Sequence, residues 1–369
     1  MTDIKINNTS ARHRILVAPL EWGLGHATRC IPLITELTAQ NCEVFIAAEG
    51  ATYSLLKQEF PGLTFLSLTG YRMKYSRKRY FLPWKLLTQV PKIALTIYKE
   101  NQWLKKIVKD HKIDAVISDN RFGMYCSRIR SVYITHQLLI KTGNVFTESI
   151  AKKIHSYFIN KYNECWVPDF KEDGLAGELS HPGKLPNQIK YIGALSRFEV
   201  INPDSYREKK KYDLLITISG PEPQRTIFED QILNDLKSYS GKVLFIRGMP
   251  DGNTLKPENP LLEIKNHLSA RELNEAMLQS GIIVSRCGYT TIMDLVKLQK
   301  KAILIPTPGQ TEQEYLAKYL MEKQIFYTIS QKDFVLQNAL KEASLFPFSI
   351  PAHNMEQYKN IINQFVQSL

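Results

Sequence analysis

The chain reads as an α/β protein built on two successive parallel sheets. Short runs of Val, Ile, Leu and Phe alternate with longer stretches of helical periodicity, the pattern of parallel strands joined by crossover helices. The alternation stops at a polar stretch, 196–211, and then starts again, and 369 residues exceed what one hydrophobic core organises.

In the first half, strands are expected at Arg14–Leu20, Glu43–Ala48, Leu63–Leu68, Asp114–Ser118, Ser131–Thr135 and Glu164–Val167. In the second, they are expected at Tyr212–Ser219, Lys242–Arg247, Leu262–Asn266, Gly281–Ser285 and Ala302–Pro306. The intervening stretch carries Asn202, Pro203 and a lysine run and reads as a linker. Met355, Tyr358, Ile361, Ile362, Phe365 and Val366 follow a proline-containing loop at helical spacing, which predicts a terminal helix. The division expected is 1–197, 198–352 and a C-terminal helix in 353–369.

Composition narrows the class. With 44% hydrophobic and 23% charged residues the chain is globular, not disordered. Its five cysteines are scattered, with no closely spaced pair, which fits a reducing compartment. The first residues lack the apolar core of a signal peptide, and no window approaches about 18 uninterrupted apolar residues. A cytoplasmic protein is expected. The net charge of +12 is concentrated: residues 71–112 hold twelve Lys or Arg and two acids, interleaved with Tyr71, Tyr75, Tyr80, Phe81 and Trp84. Such a segment suits an anionic membrane surface, with a solvated basic surface or an acidic polysaccharide as the alternatives. No nucleic-acid-binding module accompanies the charge, so nucleic acid is not an expected partner.

Three groups of loops follow strands and open helices, the positions where open α/β sheets bind ligands. After the first strand comes Trp22-Gly-Leu-Gly-His-Ala-Thr-Arg29, in which Gly23 and Gly25 permit a sharp turn and close substrate approach. His26 opens the next helix with an unperturbed pKa suited to a general base. Asp119 and His136 each end or follow a strand and reach the same rim, where Asp119 would orient or charge-stabilise His26; a turn or cap is the bland reading of such an Asp. In the second half, Ser219-Gly-Pro-Glu222 offers amides to an anion. Ser285-Arg-Cys-Gly-Tyr-Thr-Thr-Ile-Met-Asp294 places a glycine and hydroxyls at a helix start. Gly288, Tyr289, Thr290 and Thr291 would supply donors to a diphosphate, and Asp294 would accept from ribose hydroxyls. Gln310, Gln313 and Glu314 follow the last strong strand and would meet sugar hydroxyls.

These residues resemble the glycosyltransferases of the two-Rossmann (GT-B) type, in particular family 28, the group of the peptidoglycan N-acetylglucosaminyltransferase and the galactolipid synthases. The resemblance covers most of the chain. It rests on Gly23-Leu-Gly-His26, on Arg286-Cys-Gly288-Tyr-Thr-Thr291 followed by Asp294 where the family carries an acid, commonly Glu, and on Gln313-Glu-Tyr315 where the family has Gln-Gln-Tyr. Two departures stand out, Glu314 in place of an amide and Ser219-Gly-Pro-Glu222 in place of a multi-glycine turn.

The resemblance implies two Rossmann-like domains facing across a cleft, with the terminal helix crossing back to the first. It implies a UDP-sugar as co-substrate with no further cofactor, and His26 as catalytic base with Asp119 beside it. The donor side would comprise Ser219, Gly220, Arg286, Gly288, Tyr289, Thr290, Thr291, Asp294, Gln310, Gln313 and Glu314. The acceptor side would comprise Gly23, Gly25, Arg29, Arg121 and His136. Helix N-terminal amides would stabilise the leaving diphosphate without a metal, consistent with the lack of an Asp-x-Asp triplet, and inversion should follow. A lipid-linked acceptor would be natural, which would place the enzyme on the inner face of the plasma membrane. The rival is a nucleotide-sugar hydrolase or epimerase of the same fold, since hydrolases of that kind also follow the glycine loop with Arg-Cys, as Arg29-Cys30 does here.

Overall fold

The computed structural model describes residues 12–71, 90–183, 188–200, 210–249, 252–257 and 259–369. The cationic residues Arg72, Lys74, Arg77, Lys78, Arg79 and Lys85 and most of the expected linker, 201–209, lie outside the described residues.

The first half forms β1 (Arg14–Pro19), α1 (Leu24–Ala39), β2 (Glu43–Ala48), α2 (Gly50–Glu59), β3 (Thr64–Ser67), α3 (Val90–His111), β4 (Ala115–Asp119), β5 (Arg130–Ile134), α4 (Val145–Ile159), β6 (Glu164–Val167) and β7 (Ile189–Tyr191). Every pairing is parallel, in the order β3-β2-β1-β4-β5-β6-β7. The second half forms β8 (Tyr212–Thr217), α5 (Gln224–Leu236), β9 (Val243–Ile246), β10 (Leu262–Lys265), α6 (Ala270–Leu278), β11 (Ser280–Arg286), α7 (Tyr289–Lys297), β12 (Ala302–Ile305), α8 (Thr311–Glu322), β13 (Tyr327–Thr328), α9 (Leu336–Leu345) and α10 (Gln357–Gln367). Its sheet is also parallel, in the order β10-β9-β8-β11-β12-β13.

The central strands are buried over nearly their whole length, as parallel strands covered on both faces must be, which is why they read as continuous apolar runs. Each of the eleven expected strands is present. The two additional strands among the described residues are the edge strands β7 and β13, of three and two residues, too short for any periodicity to announce them.

The order of each sheet reverses once, between β1 and β4 in the first and between β8 and β11 in the second. Loops leaving neighbouring strands on either side of such a reversal diverge and open a crevice. The register places Pro19 beside Asp119 and Ser285 beside Thr217. The loops after β1 and β4 therefore share one mouth, and those after β8 and β11 share another. Helix α10 lies against α1 of the first half, with Phe365 edge-on to Trp166 at 5.3 Å and Ser368 accepting from Arg130 at 3.1 Å.

Candidate functional site

The two mouths meet. Gly23, at φ +70°, turns the chain from β1 into α1, a conformation a Cβ would strain. Gly25 then lies so close to the second half that a Cβ there would come within 3.2 Å of the Thr290 hydroxyl, and its carbonyl accepts from that hydroxyl at 3.2 Å. The first turns of α1 and α7 thus touch directly.

On the α1 side the polar groups form one buried cluster. His26 Nδ1 is 3.1 Å from Asp119 Oδ2. Arg29, one turn further along α1, donates from Nε to Asp119 Oδ2 at 2.7 Å and from Nη2 to Oδ1, and Nη2 also lies 2.7 Å from His26 Nδ1. Burial alone would raise the Asp119 carboxyl, but Arg29 and His26 bring it down to about 2, so it is ionised throughout the physiological range. His26 is shifted the other way: burial, assisted by the neighbouring guanidinium, lowers its pKa below the ordinary histidine value and keeps it neutral. A neutral imidazole beside a fixed carboxylate is the arrangement a proton acceptor requires.

His136 stacks face to face on Tyr289 at 4.2 Å, while the Tyr289 hydroxyl donates to the Pro168 carbonyl at 2.8 Å. Tyr289 is therefore part of the contact between the halves. Arg121 is fully buried, with Nε on the Pro19 carbonyl at 2.9 Å and ion pairs to Glu100 at 2.7 Å and Glu21 at 3.2 Å. It braces the loops after β1 and β4 and presents no surface to a ligand.

On the α7 side, Gly288 occupies the N-cap without a side-chain cap, and no acid lies in the first turn, so the positive end of the helix dipole has no acidic or capping side chain of its own helix against it. Behind it, Arg286 is buried with its guanidinium 4.2 Å over the Phe228 ring. Nη2 donates to the Gln224 carbonyl at 2.9 Å, while Nε and Nη1 have no partner among the described residues, and burial lowers its pKa to about 10. Thr307 Oγ1 and Gln331 Oε1 are likewise buried without partners among the described residues. Ser219 and Gly220 are exposed on the adjacent loop, with Gly220 at φ +114°.

The remaining donor-side residues brace the loop after β12. Gln313 Oε1 accepts from Thr307 N at 2.9 Å, Gln313 donates to Gln310 Oε1 at 2.6 Å, and Glu314 Oε1 accepts from Gly309 N at 2.9 Å. Asp294 is buried behind the first turn of α7, accepting from Ser196 Oγ at 2.6 Å, and burial raises its pKa to about 6. Thr291 lies half-buried in the first turn of α7.

Sequence reasoning passed over Glu312, in the first turn of α8, whose carboxylate meets His136 Nε2 at 2.7 Å and Gln137. An acid in a helix's first turn is ordinary, so nothing in the sequence distinguishes it. It also passed over the outer face of α4, where Phe146, Ile150, Ile154 and Tyr157 are all exposed, Phe146 to 72%. The i, i+4, i+8 and i+11 spacing was the signal available.

Two parallel-sheet units meeting at their switch-point loops define a GT-B glycosyltransferase fold. Residues 231–368 match the model of the "Glycosyltransferase family 28 C-terminal domain". That part of the chain is accordingly similar to a family 28 C-terminal domain, and distant relatives match over most of the chain. One relative, the UDP-N-acetylglucosamine–N-acetylmuramyl-(pentapeptide) pyrophosphoryl-undecaprenol N-acetylglucosamine transferase of Listeria monocytogenes, is 24% identical over 329 residues, 84% of each chain. Among solved structures, the glycosyltransferase of kitacinnamycin superposes with a TM-score of 0.63 at 13% identity, covering 97% of this chain and 96% of that one. A UDP-N-acetylglucosamine 2-epimerase described from Listeria monocytogenes superposes with a TM-score of 0.61 at 12% identity, covering 95% of each. At such identity these likenesses speak to the fold.

Proposed function

We propose that the chain transfers a sugar, with inversion and without a metal, from a UDP-sugar bound at the second mouth to the hydroxyl of a lipid-linked acceptor bound at the first. The observation that carries this is the meeting of a neutral His26, backed by ionised Asp119, with the uncapped first turn of α7. The helix amides and the unpartnered N–H groups of Arg286 take the charge that develops on the leaving diphosphate. With its own proton on Nδ1 toward Asp119, His26 takes the acceptor proton on Nε2 as the oxygen attacks the anomeric carbon. The Listeria relative is named for a uridine donor and a polyprenyl-pyrophosphate acceptor, and that chemistry is extended to this chain as part of the proposal.

The outer face of α4 supports a lipid-borne acceptor. Phe146, Ile150, Ile154 and Tyr157 form an apolar stripe with Lys153 on the same exposed face and Lys161 over the Tyr157 ring at 4.7 Å. Leu95 and Tyr98 on α3 are also exposed, and Ile93 of α3 and Phe158 of α4 pack on one small cluster. Among the described residues no helix is long and apolar enough to cross a membrane. An amphipathic face resting on anionic headgroups needs no such helix.

The fold neighbours include an epimerase, so transfer must be separated from hydrolysis and epimerisation. Incubating a labelled UDP-sugar with and without a membrane-lipid extract separates them: labelled lipid formed only in the extract is expected. Rapid release of free sugar, or a changed sugar still on UDP, without extract would overturn the reading. Activity lost to a chelator and restored only by Mn²⁺ or Mg²⁺ would remove metal independence from it.

A further inference from the structure

The contacts that begin at His26 continue into the second half. Arg29 Nη1 lies 3.2 Å from His136 Nδ1, His136 Nε2 lies 2.7 Å from Glu312 Oε1, and Glu312 Oε2 accepts from Gln137. Both oxygens of a single α8 carboxylate are thus held by residues that follow β5.

A guanidinium has only donors, so every nitrogen it meets must accept. His136 Nδ1 therefore carries the lone pair, and its proton resides on Nε2, which donates to Glu312. That assignment is internally consistent. At His26 the demands conflict: Arg29 Nη2, 2.7 Å from Nδ1, requires a lone pair there, whereas Asp119 Oδ2, 3.1 Å away, requires a proton. With Arg29 seated as observed, Nδ1 accepts, the proton lies on Nε2, and Nε2 cannot take another from a hydroxyl. With Arg29 drawn off Nδ1, the Nδ1–H donates to Asp119 and Nε2 offers its lone pair. The interchange passes one proton out to water and one back, with no change in net charge.

We propose that Glu312 is a positioning residue which, through His136 and Arg29, sets the nitrogen of His26 that carries the proton. The groups facing this cluster are Arg29, Cys30, Asp119 and His136 from the first half and Glu312 and Thr290 from the second; the Cys30 thiol lies 3.9 Å from Asp119, and burial pushes it well above its ordinary range. The Glu312 carboxyl is held below its ordinary range, burial opposing and His136 and Arg29 outweighing it, so it stays ionised. Because Glu312 is followed at once by Gln313 and Glu314, the residues assigned to the donor sugar, occupancy at α8 and the proton position on His26 are linked by one carboxylate. The inference rests on the reading of His26 as the base.

The test is long-range proton–nitrogen correlation NMR on the full chain labelled with ¹⁵N-histidine, with His26 assigned from a His26→Gln sample. In the wild type, His26 should carry its proton on Nε2. In Glu312→Ala the Nδ1–H form should rise from minor to major, and Glu312→Gln, whose carbonyl still accepts from His136, should restore the wild-type pattern. A wild-type His26 already protonated on Nδ1, or identical tautomers in wild type and Glu312→Ala, would overturn the proposal. Glu312→Asp, which shortens the reach by one methylene, supplies the same comparison if Glu312→Ala does not fold. These spectra need no turnover, so they stand apart from the reading of His26 as base, which fails separately if His26→Ala keeps its activity.

Discussion

The two mouths solve opposite electrostatic problems. At the end of β1 and β4 the charges of Arg29 and Asp119 are matched to one another in a buried cluster, and the group left facing the crevice is a neutral imidazole. At the end of β8 and β11 the positive partners go unmatched: α7 begins without a cap or an acid, and two N–H groups of a buried guanidinium have no acceptor among the described residues. Full compensation suits a group that must exchange a proton near neutrality. Unmet donors in a buried setting suit an anion that arrives with its own charge, because an unsatisfied buried donor is costly until something accepts from it. On the proposed function the first is a proton-handling side and the second an anion-binding side, and each can be broken without the other.

The largest effect is expected on the proton-handling side. His26→Ala should lower kcat by about 10²- to 10⁴-fold while UDP affinity stays within a few-fold, measured by steady-state transfer and by calorimetry. Parallel loss of turnover and UDP binding would merge the two sides into one. A smaller effect is expected on the other side. Arg286→Met keeps an apolar stem on Phe228 and removes the unpartnered donors, so UDP should bind about 10- to 100-fold more weakly, as losing a charge-assisted hydrogen bond implies. Unchanged UDP affinity would mean that the unmet donors of Arg286 do not face the diphosphate.

Neither side includes the proposed membrane face, the exposed stripe of α4, so breaking that stripe should leave both intact. Replacing Phe146 and Ile154 together by Ser removes two of the exposed apolar side chains of α4. Sedimentation with anionic vesicles should fall several-fold, while UDP binding is unchanged. Undiminished sedimentation would leave the basic segment 71–112 as the remaining candidate.

How much of this was legible follows from where the information lies. Central strands announce themselves because burial on both faces demands uninterrupted apolar residues, so all eleven were readable while the two short edge strands were not. The loops were readable because strand ends and glycines locate a crevice before any coordinates exist. Partnerships across the chain were another matter. Nothing near Arg121 says that Glu100 and Glu21 hold it away from ligands, and nothing near Glu312 says that it meets His136, 176 residues away. Arg29, His26, Asp119 and His136 are all among the expected site residues; the missing element is the α8 acid that joins them to the second half.

Asp294 lies between the two descriptions and yields the smallest and most specific test. It stands where the family resemblance places a ribose-binding acid, yet the side chain is buried against Ser196, and burial raises its pKa to about 6. A carboxyl with a higher pKa folded than unfolded favours the native state while protonated, and that contribution is complete below about 4 and lost as pH rises through about 6. At pH 7.5 the native chain therefore holds a buried carboxylate at a cost on the order of 1–3 kcal/mol. Asp294→Asn removes the charge and keeps an acceptor for Ser196. Its apparent melting temperature should exceed the wild type's by a few degrees at pH 7.5, with the gap closing as pH falls from about 6 to about 4. A variant that melts lower than wild type at pH 7.5 would show that Arg197, the cation whose attraction opposes the burial shift, outweighs desolvation. A variant that gains stability and loses UDP affinity would identify Asp294 as a group kept for the donor at the expense of the fold.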